Sequence, residues 1–429
     1  MSLPHGRHAA AEGARHALSC LLSVNPNTKN WRTPGVVLLC GGIILTLAMG
    51  TRQGFGLFLQ PMTLDHGWSR ETFAFAMALQ NLIWGASQPF FGMIADRKGA
   101  GRVLATGAAL YCTGLVLMAM SGTGWQFSLA TGLFIGLAQG CTTFSIVFGV
   151  VSRIFPPERR SIALGLCSAA GSFGQFAMLP YTGSLIAHLG WFNALLILSV
   201  SAALIAPLAS ALVEERKDAA ATATQSVGEA VREAFGHKSF LLLTAGYFVC
   251  GFQLAFITVH FPAYLVDRGL SANIGMMALA LVGLFNIFGS FASGALGAKY
   301  TKKYLLSSIY FTRSIVIALF VFSPVTEGSV YLFSAAIGLL WLSTVPLTNG
   351  VIGGIFGVTY MSTLSGFVFM SHQLGSFTGV WLGGYLFDHT GSYRVVWLIS
   401  IALGIFAALV NLPIQERPVA RAPVPRPAG

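Results

Sequence analysis

The sequence predicts an all-α membrane protein that crosses the bilayer twelve times, and three observations carry that prediction. The chain is 55% hydrophobic and 9% charged, where soluble domains carry about 25% charged residues. Apolar runs near or above the roughly 20 residues needed to cross the hydrocarbon core recur along its whole length. Lysine and arginine collect in alternate connecting segments. A soluble core of this size would need polar helix faces to meet water, and few are present.

The elements follow in order. Residues 1–30 have no signal-peptide apolar core or cleavage pattern and are expected to be a disordered cytoplasmic arm. Six spans are expected at 34–60, 69–95, 102–120, 125–150, 161–188 and 191–212, making a first bundle over 31–213. The polar stretch 214–238 reads as a cytoplasmic linker. Six more spans, at 239–266, 273–297, 303–323, 329–352, 361–388 and 393–412, make a second bundle over 239–413. The Pro-rich end, 414–429, is expected to be a disordered cytoplasmic tail. Pro180, Pro262 and Pro346 are expected kinks.

Orientation follows from the basic residues. With the N-terminus cytoplasmic, inner segments hold 20 of the 25 Lys and Arg, and outer segments hold Arg70, Arg268 and Arg394. This bias places both termini in the cytoplasm, and a bacterial inner (plasma) membrane is the expected location. It also accounts for the net charge of +11, so no nucleic-acid partner is needed. The six cysteines show no CxxC or metal-ligand spacing, so neither a disulfide nor a metal is expected.

The two halves echo each other. Gly92–Arg102 is echoed by Gly294–Lys303 at an offset of 202. Phe155 and Gly165 are echoed by Phe356 and Gly366 at 201, and Gly183–Gly190 by Gly383–Gly391 at about 200. Three weak echoes in register imply two homologous six-helix bundles with a midplane site between them, a recurring carrier plan.

The segment Gly92-Met-Ile-Ala-Asp96-Arg97-Lys-Gly99-Ala-Gly-Arg102 resembles the loop-2/3 signature of the major facilitator superfamily (G-x-x-x-D-R-x-G-R-[RK]). Gly92, Asp96, Arg97 and Gly99 match, while Ala100-Gly101-Arg102 replaces the final basic pair. The resemblance implies the major facilitator fold and a gating role for Gly92, Asp96, Arg97, Gly99 and Arg102. Asp96 at a helix end would hold neighbouring helix N-termini and Arg groups in one conformer. Three stretches are similar to the monocarboxylate transporter and oxalate/formate antiporter group: Gly50–Leu59, Trp68-Ser-Arg70 and Arg159–Gly165. Arg52 falls where monocarboxylate transporters place an essential Lys. The D-x-x-x-R of helix 8 is replaced by Asn286 and Ser290, so the group's substrate-clamping Arg is missing.

Only two charged residues fall at membrane depth, Arg52 and Arg313, with no carboxylate beside them. A buried, unpaired cation costs several kcal/mol, so it needs a partner or a function. For Arg52, about 18 residues or roughly 27 Å into helix 1, the leading partner is an anionic substrate and the bland alternative is snorkelling. Arg313 could contact substrate or could bind buried carbonyls. Gln253, His372, Gln373, Trp341 and Asn286 complete the substrate-site candidates, each able instead to be an interhelical packing contact. A proton-linked cycle would have to use His372 or His260, or the substrate's own carboxylate.

An enzyme is not expected: there is no Walker loop, metal set or paired carboxylates, and no cofactor is called for. The leading expectation is a secondary active carrier of a small organic anion, a monocarboxylate, working by alternating access, with proton coupling open. Beside it stand a carrier or drug-efflux pump for a non-anionic solute, and a sensor on the same fold. Its partners would be the substrate and the lipid bilayer, and a monomer is expected.

Overall fold

The computed structural model describes residues 31–68, 70–213 and 225–420. The N-terminal arm, residues 214–224 of the linker and 421–429 of the tail lie outside the described residues. Helix is the only regular structure among those described.

In the first half, α1 (Pro34–Gln53) opens on Thr33, whose hydroxyl accepts from the Val36 N–H at 3.4 Å, with Pro34 at the first position. Both residues suit a helix start, where N–H groups lack intrahelical partners. A 3₁₀ stretch, Gly54–Phe58, and α2 (Leu59–His66) complete the first expected window. Next come α3 (Arg70–Lys98) and α4 (Ala100–Ala119), joined at Gly99, whose φ of 93° suits glycine. The window expected at 125–150 is not one helix. It contains α5 (Gly124–Ser128), a π stretch over Leu129–Ile135 and α6 (Gly136–Thr142). Thr143 is extended (φ −97°, ψ −178°), and α7 (Phe144–Ile154) follows. The next two windows form one helical run, α8 (Pro157–Ala203), turned at Gly190 where φ is 77°, followed by α9 (Ile205–Ala209).

The described part of the linker stretch forms α10 (Val227–Gly236), and the second half then comprises α11 (Lys238–Asp267), α12 (Ala272–Lys299) and α13 (Lys302–Phe322). It continues through α14 (Glu327–Leu340), α15 (Thr344–Phe356), α16 (Met361–Thr390) and α17 (Arg394–Asn411). The tenth window breaks at 341–343 rather than kinking at Pro346. That proline occupies the first turn of α15, where its missing N–H removes no helical bond. A second correction concerns the tail: residues 414–420 are not a free end. Ile414 is buried, Gln415 N donates to Ser239 Oγ at 3.0 Å, and Val419 N donates to the Ile355 carbonyl at 2.9 Å. Glu416 Oε1 accepts from Lys303 N at 2.6 Å, placing a carboxylate at the N-terminus of α13.

Among the described residues, nine helical stretches are long and apolar enough to cross a membrane, one of them the 56-residue run Pro157–Leu212. The 29-residue α3 and the 30-residue α16 are long enough to cross but more polar. Their polarity has a structural reason: both lie in the seam between the halves. Along one face of α3, spaced by seven, Gly92 backs onto the Ser362–Thr363 backbone and Gly85 onto Gln373, while Ala78 is exposed. On α16, Phe377 shares a face with Gly366 and Gln373 and is likewise exposed. The seam of α8 and α12 behaves the same way. Gly165 meets Gly294 backbone to backbone, and Ser172 Oγ lies 3.2 Å from Ser290 Oγ, but a Cβ at Gly283 would meet open space. The halves therefore close on each other at the end bearing Arg97, Arg153 and Arg159, and part towards the other end.

Candidate functional site

Where the seam begins to part, four elements bring polar and aromatic groups together. Arg52, near the end of α1, is half-buried, and its Nη2 donates to Asn81 Oδ1 of α3 at 2.8 Å. The guanidinium carbon lies 4.9 Å from the centroid of the Trp84 ring, one turn further along α3. Contacts of this kind stabilise a cation by about 0.5–2 kcal/mol, less than the several kcal/mol that desolvation costs. Arg52 Nε is buried with no partner among the described residues, and no described carboxylate pairs with the side chain.

Across the seam, Gln373 Nε2 donates to the Asn81 carbonyl at 3.4 Å, and its Oε1 lies 3.1 Å from His372 Nδ1. His372 stacks on Phe369 with centroids 5.4 Å apart and meets the Tyr247 ring of α11 at 5.0 Å. Phe369 in turn packs on Trp84 at 4.8 Å. Arg52, Asn81 and Trp84 of the first half thus face Gln373, His372 and Phe369 of the second. On the closed side lies a cavity of ≈ 10 Å³ lined by Phe144, Ser145, Tyr247, Thr348, Asn349 and Phe369, about the room one water needs.

Three of the seven expected substrate residues, Arg52, His372 and Gln373, meet here. The other four gather elsewhere, inside the second half. Arg313 is fully buried: Nη2 donates to the carbonyls of Leu340 and Trp341, and Nη1 to Gln253 Oε1 at 3.2 Å. Gln253 Nε2 donates to the Ser400 carbonyl at 2.8 Å, and Asn286 Oδ1 accepts the Leu342 N–H at 3.0 Å. Trp341 joins this group through its own carbonyl. His260 has both nitrogens engaged within its half, at 3.3 Å from Tyr393 OH and 2.9 Å from the Val380 carbonyl.

At the closed end, Asp96 is buried, and its Oδ2 accepts from Thr363 N at 2.7 Å and Thr363 Oγ1 at 2.8 Å. Thr363 is in the first turn of α16, so the carboxylate caps a helix N-terminus belonging to the other half. Arg153 Nη1 pairs with Asp96 Oδ1 at 3.0 Å and also reaches the Val358 carbonyl at 3.2 Å. Gly92 lies in the seam and Gly99 at the α3–α4 turn. The exposed side chains of Arg97 and Arg102 stay outside this lock.

Asn81, Tyr247, Phe369 and Arg153 are the residues that sequence reasoning missed. The spacing 81, 85, 88 and 92 would have marked the seam face of α3, but the neighbouring stripe Gln80, Trp84 and Gln88 reads equally well. Arg153 is indistinguishable in sequence from a topology-setting positive charge.

A polytopic helical bundle with a polar site between two seamed halves defines a membrane transporter. The chain belongs to the Major Facilitator Superfamily, whose profile matches residues 41–379. It is 25% identical over 391 residues to the uncharacterized MFS-type transporter YcxA of Bacillus subtilis (strain 168), covering 86% of this chain and 92% of that one. It is also 25% identical over 396 residues to monocarboxylate transporter 13 of Rattus norvegicus, covering 88% of each. Among solved structures it is similar to the transporter FucP in the outward conformation. The TM-score is 0.71 at 15% identity, covering 88% of this chain and 97% of that one, a likeness of fold.

Proposed function

We propose that this transporter is a secondary active carrier of small organic anions, monocarboxylates foremost, working by alternating access across a bacterial plasma membrane. The observation that carries the reading is Arg52, a half-buried guanidinium in the seam with no described carboxylate partner and a buried Nε that lacks an acceptor. A carboxylate could engage such a fork through two charge-assisted hydrogen bonds, and both partners gain from the pairing once desolvated. The likeness to monocarboxylate transporter 13 supports the same substrate class. Twelve spans with both termini cytoplasmic would make the sealed, basic end the cytoplasmic one, so the described state would open outward. His372, held between Gln373, Phe369 and Tyr247, is the group we assign to proton coupling. His260, with both nitrogens spent within its half, is less suited.

The test is uptake into vesicles containing the purified protein, with acetate, lactate and pyruvate as labelled probes and matched amides and amines as competitors. Carboxylates should compete and the others should not. Arg52→Gln should abolish uptake, while Arg52→Lys, which keeps the charge but loses the fork, should retain part of it. Equal competition by an amide, or normal uptake by Arg52→Gln, would overturn the anion reading.

A further inference from the structure

Two membrane helices of this chain are broken, at Thr143 and at 341–343, in positions about 200 residues apart, the offset at which the two halves echo. A break frees backbone N–H and C=O groups where no water can satisfy them, so something else must. In the first half, Gln88 of α3 serves the break: Nε2 donates to the Gly140 carbonyl at 3.3 Å, and Oε1 accepts from Thr143 Oγ1 at 2.7 Å. In the second half the task is divided. Arg313 of α13 binds the carbonyls of Leu340 and Trp341, while Asn286 of α12 accepts the Leu342 N–H at 3.0 Å.

The arrangement explains how the Arg313 guanidinium is accommodated without a described carboxylate. It faces the C-terminal carbonyls of α14, the negative end of the helix dipole, and Tyr310 of its own helix lies 5.4 Å away, ring to guanidinium. Its counterpart at the 202 offset is Tyr111, fully buried, whose hydroxyl donates to the Ala48 carbonyl at 3.2 Å. Ala48 is in turn the counterpart of Cys250, whose sulfur lies 3.6 Å from Arg313 Nη1. The same strut therefore occurs in both halves, neutral in one and cationic in the other.

Asn286 has a second connection. Its Oδ1 also accepts from Ser290 Oγ at 3.1 Å, and Ser290 Oγ lies 3.2 Å from Ser172 Oγ on the opposite half. The seam and the break thus share one acceptor. The backbones are equally close: a Cβ on Gly289 would fall 1.9 Å from the Leu339 carbonyl oxygen. Helix α12 therefore bears directly on the last turn of α14, and a displacement of α12 at the seam cannot leave the break untouched.

We propose that Arg313 and Asn286 are positioning residues of the transport cycle, which hold the 341–343 break as a hinge whose geometry is tied to seam closure through Ser290 and Ser172. Neither touches the transported molecule. The role holds whatever the solute is, so it stands apart from the anion reading.

Hydrogen–deuterium exchange of the full-length purified protein tests it without a ligand. Arg313→Lys, whose single ammonium cannot span both carbonyls and Gln253, should raise exchange over 338–346 about tenfold. The deciding variant is Ser172→Ala, because the hydroxyl it removes bonds to Ser168 and Ser290 and to no group of α14 or α15 among the described residues. If seam and hinge are coupled, it loosens 338–346, because coupling is reciprocal. Asn286→Ala should loosen both 338–346 and the Thr363 amide at the seam, and Asn286→Asp, which keeps the acceptor, should restore both. Ser172→Ala leaving 338–346 protected as in the wild type would overturn the coupling. Unchanged protection there in Arg313→Lys would overturn the clamp.

Discussion

At Arg52, two neighbours share the guanidinium without neutralising it: Asn81 accepts one hydrogen bond at 2.8 Å, and Trp84 lies 4.9 Å from the guanidinium carbon. The choice of asparagine matters because it orients the cation and leaves its charge for a ligand. Asn81→Asp would place a carboxylate at the same distance and give Arg52 a permanent partner. The expected outcome is a folded carrier whose affinity for carboxylates falls about tenfold or more, since the anion must displace an internal ion pair. Affinity equal to wild type, measured by calorimetry, would remove Arg52 from the binding step. His372 makes a separate prediction. His372→Gln keeps hydrogen-bonding capacity but removes the imidazole assigned to proton coupling, so the pH dependence of uptake should flatten more than affinity falls. An unchanged pH profile would remove His372 from proton coupling, and the same result in His260→Gln would leave the substrate's own carboxylate, exchange or uniport. Arg52 was legible in sequence because a charge inside an apolar window is conspicuous. Asn81 was not, because one asparagine in a helix fits an interhelical contact equally well.

The helices themselves were legible wherever apolar length decided them, since a run of about 20 apolar residues has few alternatives to spanning. The breaks were not. Nothing around Thr143 is a strong helix stopper, and Pro346 pointed three residues past the true break at 341–343. Both interruptions are satisfied by side chains far away in sequence, Gln88, Asn286 and Arg313, and local propensity carries no trace of such partners. The N-terminus of α16 is a related case: Asp96, from the other half, caps it. Asp96→Asn preserves an acceptor for Thr363 but removes the charge that faces both the helix dipole and Arg153. Losing one partner of a largely buried pair costs about 3–5 kcal/mol, and that cost falls only on the state in which the seam is sealed. Uptake should fall about tenfold or more while membrane yield stays near wild type. Wild-type flux would show that the cap plays no part in the cycle.

For the molecule as a whole, the seam is a graded closure, tight between Gly165 and Gly294 and parted beyond Ala78 and Gly283. The repeats implied two bundles, but which end would be closed was not legible. A sequence that must alternate between two states carries the contacts for both, and only the structure selects one. The tight end rests on missing side chains: a Cβ on Gly165 would fall 2.7 Å from the Gly294 Cα, and one on Gly294 would fall 2.8 Å from the Ser161 carbonyl oxygen. Bulk placed there acts against the sealed state alone, because once α8 and α12 separate the clash is gone. Gly165→Val should therefore shift the resting population towards the conformer open at the basic end. A bias of about 1.4 kcal/mol changes the ratio of states tenfold. The Thr363 amide, protected by Asp96 only while the seam is closed, reports that ratio by hydrogen exchange. Gly165→Val should expose it and slow net uptake, Gly165→Ala should do so less, and amides within α4, away from the seam, should exchange as in the wild type. If Thr363 stays protected in Gly165→Val while uptake is normal, the α8–α12 contact is not part of the seal.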